Sequence, residues 1–307
     1  MLNLSNISVS FGGRDLYKNI SFQINNKDKI GIVGKNGAGK STLLKLITGD
    51  QQPTSGSIQK QNMLTVGYLP QELKVNSSNS ILGEVLTANH EVFDLNNRLD
   101  QINSDLTIRT DYESDFYMKL IDELTELNER LVHLDADNQQ KDAELLLKGL
   151  GFHQNELNQS YNEFSGGWKM RVELAKLLIQ KPDIILLDEP FNGIDVKTED
   201  QIINLLNEFR KEGKVMLIST HNLGAVPEFC DRSVLIKGTI LKYGLTENVF
   251  TKENLENAFG GVLRHFSLGG TDLHKDGDKR EVSILSDDER PFVQYGNIPL
   301  KTDKKND

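Results

Sequence analysis

Gly34-Lys35-Asn36-Gly37-Ala38-Gly39-Lys40-Ser41-Thr42 follows the apolar run Ile30 to Val33 and leads into Leu43, Leu44, Leu46 and Ile47. Strand, glycine-rich turn and amphipathic helix in that order make a phosphate-binding loop. The glycines let the backbone fold tightly enough to aim N–H groups at phosphate oxygens, and the helix N-terminus adds its positive dipole end. Gly34, Asn36, Gly37, Ala38 and Gly39 form the cradle. Lys40 reaches the β- and γ-phosphates, Ser41 offers its hydroxyl to Mg²⁺, and Thr42 completes the nucleotide-binding set. A glycine turn without chemistry is the alternative, and eight matching residues in strand-loop-helix context argue against it.

A second stretch complements the first. Ile184-Ile185-Leu186-Leu187 is an apolar run ending in Asp188-Glu189, the pattern of a buried parallel strand that delivers acids at its carboxyl end, where ligands bind. Asp188 would hold Mg²⁺ directly or through water, and Glu189 would polarise the attacking water as general base. Alone, the run also fits a core strand followed by a solvated acidic turn.

Composition sets the surroundings. The chain has 307 residues and a formal net charge of −10, which disfavours general affinity for DNA, other nucleic acids or anionic membrane. No apolar run approaches the ~18 residues needed to cross a bilayer, and Met1 to Phe11 lacks the basic start and apolar stretch of a secretion signal. A soluble cytoplasmic protein with no intrinsic membrane span is expected. The single cysteine, Cys230, fits a reducing compartment and reads as a small apolar filler.

Phe164-Ser165-Gly166-Gly167-Trp168 opens a helix predicted to run through about Ile179, with Pro182 just past its end. The phosphate loop, FSGGW, ILLDEP and Ser219-Thr220-His221, in this order, resemble the ATP-binding-cassette (ABC) ATPases over residues 1 to about 265. The fold implied is α/β, an ABC-type P-loop NTPase nucleotide-binding domain with a helical subdomain. The resemblance further implies that Phe11, 29 positions before Lys40, stacks on adenine, that Gln71 in GYLPQE senses Mg²⁺ and the attacking water, and that His221 contacts the γ-phosphate. It makes Asp195 a loop aspartate communicating across a dimer, and has Ser165, Gly166 and Gly167 contact the ATP of the opposite subunit. The residue chemistry suits these roles: a ring face for a base, an amide for water, an imidazole as donor to a developing charge. Phe11 as a plain core aromatic is the alternative. One copy of each motif is half of a composite site, so the implied partner is a second ABC cassette, most simply in a head-to-tail homodimer, with ATP and Mg²⁺ as cofactors.

From Gln71 to Ser165 the chain is long for a helical subdomain alone. Val92, Leu95, Leu99, Ile102 and Leu106 step by three and four residues, as do Phe116, Leu120, Leu124, Leu127, Leu131 and Leu134. This spacing predicts two helices joined by a polar turn near 107–115 and paired as an antiparallel helical arm. The arm and the SGGW sequence resemble the ABC-F subfamily, cassette ATPases that act on the ribosome. Charge opposes contact with RNA: between Glu84 and Lys148 sixteen acidic residues face six basic ones, a balance of −10.

After Pro190 the resemblance changes. DEPFNGID stands where ABC-F proteins read DEPTNHLD, and KVMLISTHNLGAVPEFCDRSVLI, ENLENAFGGVLRHF and DDERPFVQYG resemble ATPase subunits of manganese, iron or zinc importers up to about residue 296. The chain thus reads as a hybrid with its seam inside a shared motif. The expected plan is an ABC ATPase domain over residues 1–250 (α/β core 1–71 and 164–250, helical subdomain and arm 72–163) and a C-terminal extension over 251–307. The first expectation for function is an ABC-F-like ATPase acting on the ribosome. The alternatives are the ATP-binding subunit of a metal importer coupled to a membrane permease, and a hybrid that drives neither. In the tail, a short hairpin is expected around Val282 to Leu285 and disorder from Lys301 to Asp307. His265, Asp272, His274, Asp276 and Asp278 match no metal-site template, which favours a solvated tail.

Overall fold

The computed structural model describes residues 2–61, 63–73, 76–192, 194–221, 223–224 and 226–259, and beyond these four strands over 264–268, 282–286, 292–295 and 298–299. In chain order its elements are β1 (Leu2–Phe11), β2 (Arg14–Ile24), β3 (Lys29–Val33), α1 (Lys40–Thr48), β4 (Ser55–Lys60), β5 (Val66–Leu69), α2 (Ile81–Leu86), α3 (His90–Ile108), α4 (Asp115–His133) and α5 (Ala136–Gly149). There follow α6 (Gly166–Leu178), β6 (Ile184–Asp188), α7 (Val196–Lys211), β7 (Val215–Thr220), α8 (Val226–Phe229), β8 (Arg232–Ile236), β9 (Ile240–Leu245), α9 (Thr246–Val249) and α10 (Lys252–Phe259). The tail strands are β10 (Arg264–Leu268), β11 (Val282–Ser286), β12 (Phe292–Tyr295) and β13 (Ile298–Pro299). Two compact units are distinguished, one of residues 1–72, 182–192 and 206–307, the other of residues 73–181 and 193–205.

The first unit holds a six-stranded sheet in the order β5-β6-β7-β3-β8-β9. Neighbours are parallel except β9, which runs antiparallel to β8. Every residue of β3, β6 and β7 is buried, as parallel strands covered on both faces require, and this is why they read as unbroken apolar runs. Parallel pairing has a functional consequence. The carboxyl ends of β5, β6, β7 and β3 lie side by side, so Asp188 pairs in register with Ser219, and Val33 with Thr220.

A three-stranded antiparallel sheet, β2-β1-β4, packs into the same core. Along β1 the buried residues are Leu2 and Leu4, then Ile7 and Val9. The alternation skips one residue, and a bulge must absorb it. Asn6 takes up the extra residue at φ 52°, between register positions Leu4↔Phe22 and Ile7↔Ile20. Asparagine tolerates this left-handed backbone better than most residues.

In the second unit α3 and α4 form the expected arm. Glu91 pairs with Arg130 and Arg98 with Glu123, each at 2.6 Å; partners that rise on one helix and fall on the other fix the antiparallel sense. The seam buries Val92, Ile102, Leu120 and Leu131. Phe116, expected in that seam, is 53% exposed. The facing helix has already ended at Ile108, so the Phe116 ring instead carries the Arg109 guanidinium, 4.5 Å from its centroid.

The hairpin expected in the tail is part of an antiparallel sheet β10-β11-β12-β13, in which β11 pairs with β10 and β12. Asp272, His274, Asp276, Asp278, the side chain of His265 and residues 301–307 lie outside the described residues. Among the described residues no group of His, Cys, Asp or Glu is arranged to hold a metal ion, and no helix is long and apolar enough to cross a membrane. Cys230 is a buried filler beside Gly31, its thiol pushed up in pKa by burial.

Candidate active site

The loop after β3 is shaped by two contacts that only glycine permits. A Cβ on Gly34 would stand 2.6 Å from the Ile236 carbonyl oxygen. Gly39, at φ 107°, starts α1 and its carbonyl accepts a hydrogen bond from the buried Tyr17 hydroxyl. Gly37 also has positive φ, and Asn36 and Gly37 are exposed, while Lys35, Ala38, Ser41 and Thr42 are half-buried. Lys40 turns inward and is 6% exposed. Its Nζ donates to the Gly34 carbonyl at 2.8 Å and lies 3.0 Å from Glu189 Oε1.

Glu189 is the first residue past β6 and has φ 53°, left-handed for a non-glycine residue. Its N–H donates to Ser219 at both the carbonyl oxygen, 3.1 Å, and Oγ, 2.9 Å. Its second carboxylate oxygen, Oε2, accepts from the His221 N–H at 3.2 Å and is 2.8 Å from His221 Nδ1. Burial raises the pKa of this carboxyl, but the His221 hydrogen bond and the Lys40 charge outweigh burial and hold it below the ordinary glutamate value. Lys40, Glu189 and His221, far apart in sequence, are therefore in one contact chain.

Asp188 is 2% exposed. Oδ1 accepts from the Ser219 hydroxyl at 2.6 Å and Oδ2 from the Tyr68 hydroxyl at 3.3 Å. Sequence reasoning assigned no role to Ser219 or Tyr68, although both lie in quoted motifs, one two residues before His221 and the other three before Gln71. Gln71 is exposed past the carboxyl end of β5, the strand beside β6. Phe11 closes β1 and is 53% exposed; the core-aromatic alternative does not hold.

The remaining candidates belong to the second unit. Ser165 precedes α6 with an extended backbone, is exposed, and its hydroxyl makes no capping bond. Gly166 is also exposed, with open space where a Cβ would stand; Gly167 is half-buried. Trp168, by contrast, is a packing residue, its ring 4.7 Å from Phe152 and stacked by Arg171 at 3.9 Å. Asp195 caps α7: its carboxylate accepts from the Thr198 N–H at 3.0 Å and the Thr198 hydroxyl at 2.7 Å.

Comparison with known proteins follows the same lines. The family model for ABC transporters matches residues 17–192. The chelated iron transport system membrane protein YfeB of Yersinia pestis is 38% identical over 96% of this chain and 91% of its own length. ABC transporter F family member 5 of Arabidopsis thaliana is 33% identical over 76% of this chain, which spans only 33% of that relative. Among solved structures, a metal-chelate type ABC transporter in an inward-facing conformation aligns with TM-score 0.64 at 20% identity, covering 98% of this chain and 97% of the other. This last likeness concerns the fold alone. The iron-transport relative aligns on both sides of Pro190, whereas importer resemblance was expected only beyond it. The order of the two functional expectations is thereby reversed, with the importer reading ahead of the ABC-F one.

Proposed function

Because this chain belongs to the ABC transporter family and is an ATPase of that family, we propose that it is the ATP-binding subunit of a metal importer, coupled to a membrane permease and working as a head-to-tail pair of cassettes. The observation that carries this reading is the near-complete two-way coverage shared with the iron-transport relative. The features that suggested ABC-F weigh less. Trp168 in SGGW fills an aromatic cluster, and the acidic arm would be repelled by RNA.

In this reading the Phe11 ring stacks on adenine and the 34–42 loop wraps the phosphates. Phosphate oxygens compete with Glu189 for the Lys40 ammonium, and as Lys40 turns to them Glu189 retains His221 as its partner. Since His221 Nδ1 engages Oε2, Oε1 is the oxygen that accepts the proton of the attacking water. The residues present suit Mg²⁺: the Ser41 hydroxyl, the buried Asp188 carboxylate and the Gln71 amide are hard oxygen donors. When bound, the ion would offset the negative charge of the phosphates. His221 stabilises the departing phosphoryl charge, and Ser165 to Gly167 of the second cassette close the other side of the nucleotide.

Co-expression with the permease of a manganese or iron importer is the test. Joint purification in detergent, and loss of manganese or iron uptake in the Glu189→Gln variant, are expected. Recovery of the chain only in the soluble fraction would reject the importer reading, and ATP-dependent co-sedimentation of Glu189→Gln with ribosomes would restore the ABC-F one.

A further inference from the structure

Two residues in the second unit join Asp195 to the helix that opens with the Ser165 turn. Arg171, on the second turn of α6, points inward and is 6% exposed. Its guanidinium stacks on Trp168 at 3.9 Å, Nη1 donates to the Leu150 carbonyl at 3.4 Å, and Nη2 donates to the Thr198 hydroxyl at 3.1 Å. That hydroxyl in turn donates to Asp195 Oδ2 at 2.7 Å. The Thr198 oxygen accepts on one side and donates on the other, so it relays the Arg171 charge to the Asp195 carboxylate. Gly151, at φ 94°, makes room for the group, since a Cβ there would stand 3.3 Å from Nη1. A buried guanidinium with Nε unpartnered is costly to hold for stability alone.

We propose that Arg171 and Thr198 are positioning residues that lock the Asp195 loop to the Ser165–Gly167 turn, so that the contact with the partner cassette and the contact with its nucleotide are made or broken together. This rests on the roles proposed above for Asp195 and Ser165. The structure supplies the connection between them: Trp168 and Arg171 fix one end of a hydrogen-bonded chain and the cap of α7 fixes the other.

Thr198→Val removes the relay and keeps the backbone shape and the Asp195–N–H bond; Thr198→Ser keeps the hydroxyl. Three readouts on the full chain are needed: fluorescent mant-ATP binding, kcat, and ATP-driven dimer formation in a Glu189→Gln background. Thr198→Val should bind mant-ATP within about twofold of wild type while kcat falls on the order of tenfold to a hundredfold, as misplacement remote from the chemistry does. Dimer formation should weaken in parallel, Thr198→Ser should restore both, and Arg171→Lys combined with Thr198→Val should be no worse than either alone. Wild-type kcat in Thr198→Val, or equal loss in Thr198→Ser, would overturn the proposal. Loss of mant-ATP binding with kcat would also overturn it, because the defect would then be one of folding. If Ser165→Ala and Asp195→Ala each leave kcat and ATP-driven dimer formation at the wild-type level, the underlying reading of the site fails, whatever Thr198 does.

Discussion

At Glu189 a left-handed backbone, φ 53°, costs roughly 1–3 kcal/mol and is kept because the surrounding bonds over-determine it. Glu189→Gln should lower kcat by about 10²–10⁴-fold, the usual contribution of a general base, with mant-ATP binding retained; steady-state hydrolysis measures it. The carboxyl is held below its ordinary value of 4.5, so its stabilising effect is complete above that pH and is lost as pH falls through the lower folded value. Acid unfolding of Glu189→Gln, followed by circular dichroism, should therefore be less steep there than that of wild type. Lys29 behaves in the opposite sense. It is 1% exposed, and burial lowers its pKa from 10.5 to about 8. The fold favours the neutral amine, so this residue costs stability at pH 7, on the order of 3 kcal/mol, and that cost disappears as pH rises from 8 to 10.5. Lys29→Met should be the more stable protein in urea at pH 7, with the difference shrinking over that range. Lys40 was legible because it closes a glycine-rich loop between strand and helix, Glu189 because an acidic pair ends an apolar run, and His221 through the family resemblance. Lys29 was not, since a lysine at the start of a strand reads as solvated, and neither was the capping of α7 by Asp195, which competes for notice with its motif.

The arm shows which forces hold an element. Ile102 and Leu120 are buried in its seam, and truncating either to alanine should cost about 2–5 kcal/mol. Arg98 and Glu123 are about two-fifths exposed, so solvent screens their pairing and Arg98→Ala should cost far less than either truncation. Hydrogen exchange over residues 90–133 separates the two, and similar protection in Arg98→Ala and Leu120→Ala would contradict this ordering. Helix existence and pairing were readable from three-and-four spacing, because a stripe persists along the whole length of a helix. The outward turn of Phe116 was not, since spacing says nothing of where the facing helix stops. The bulge at Asn6 lay in the sequence as a skipped alternation in β1 and became legible only once the pairing with β2 was known.

For the whole molecule, a composite site makes rate depend on encounter. Hydrolysis per subunit should rise with protein concentration and then saturate as cassettes pair; a rate independent of dilution would contradict the two-cassette reading. The core sheet was foreseeable from its buried runs, but its strand order was not, because register across parallel strands leaves no local trace. That order carries a further consequence. β3 has β7 on one side and β8 on the other, and both lie about 180 residues or more further along the chain. At roughly 5–20 residues per second, the strand bearing the phosphate loop is made on the order of ten seconds or more before either neighbour, and the nascent chain must keep it from pairing with anything else during that time.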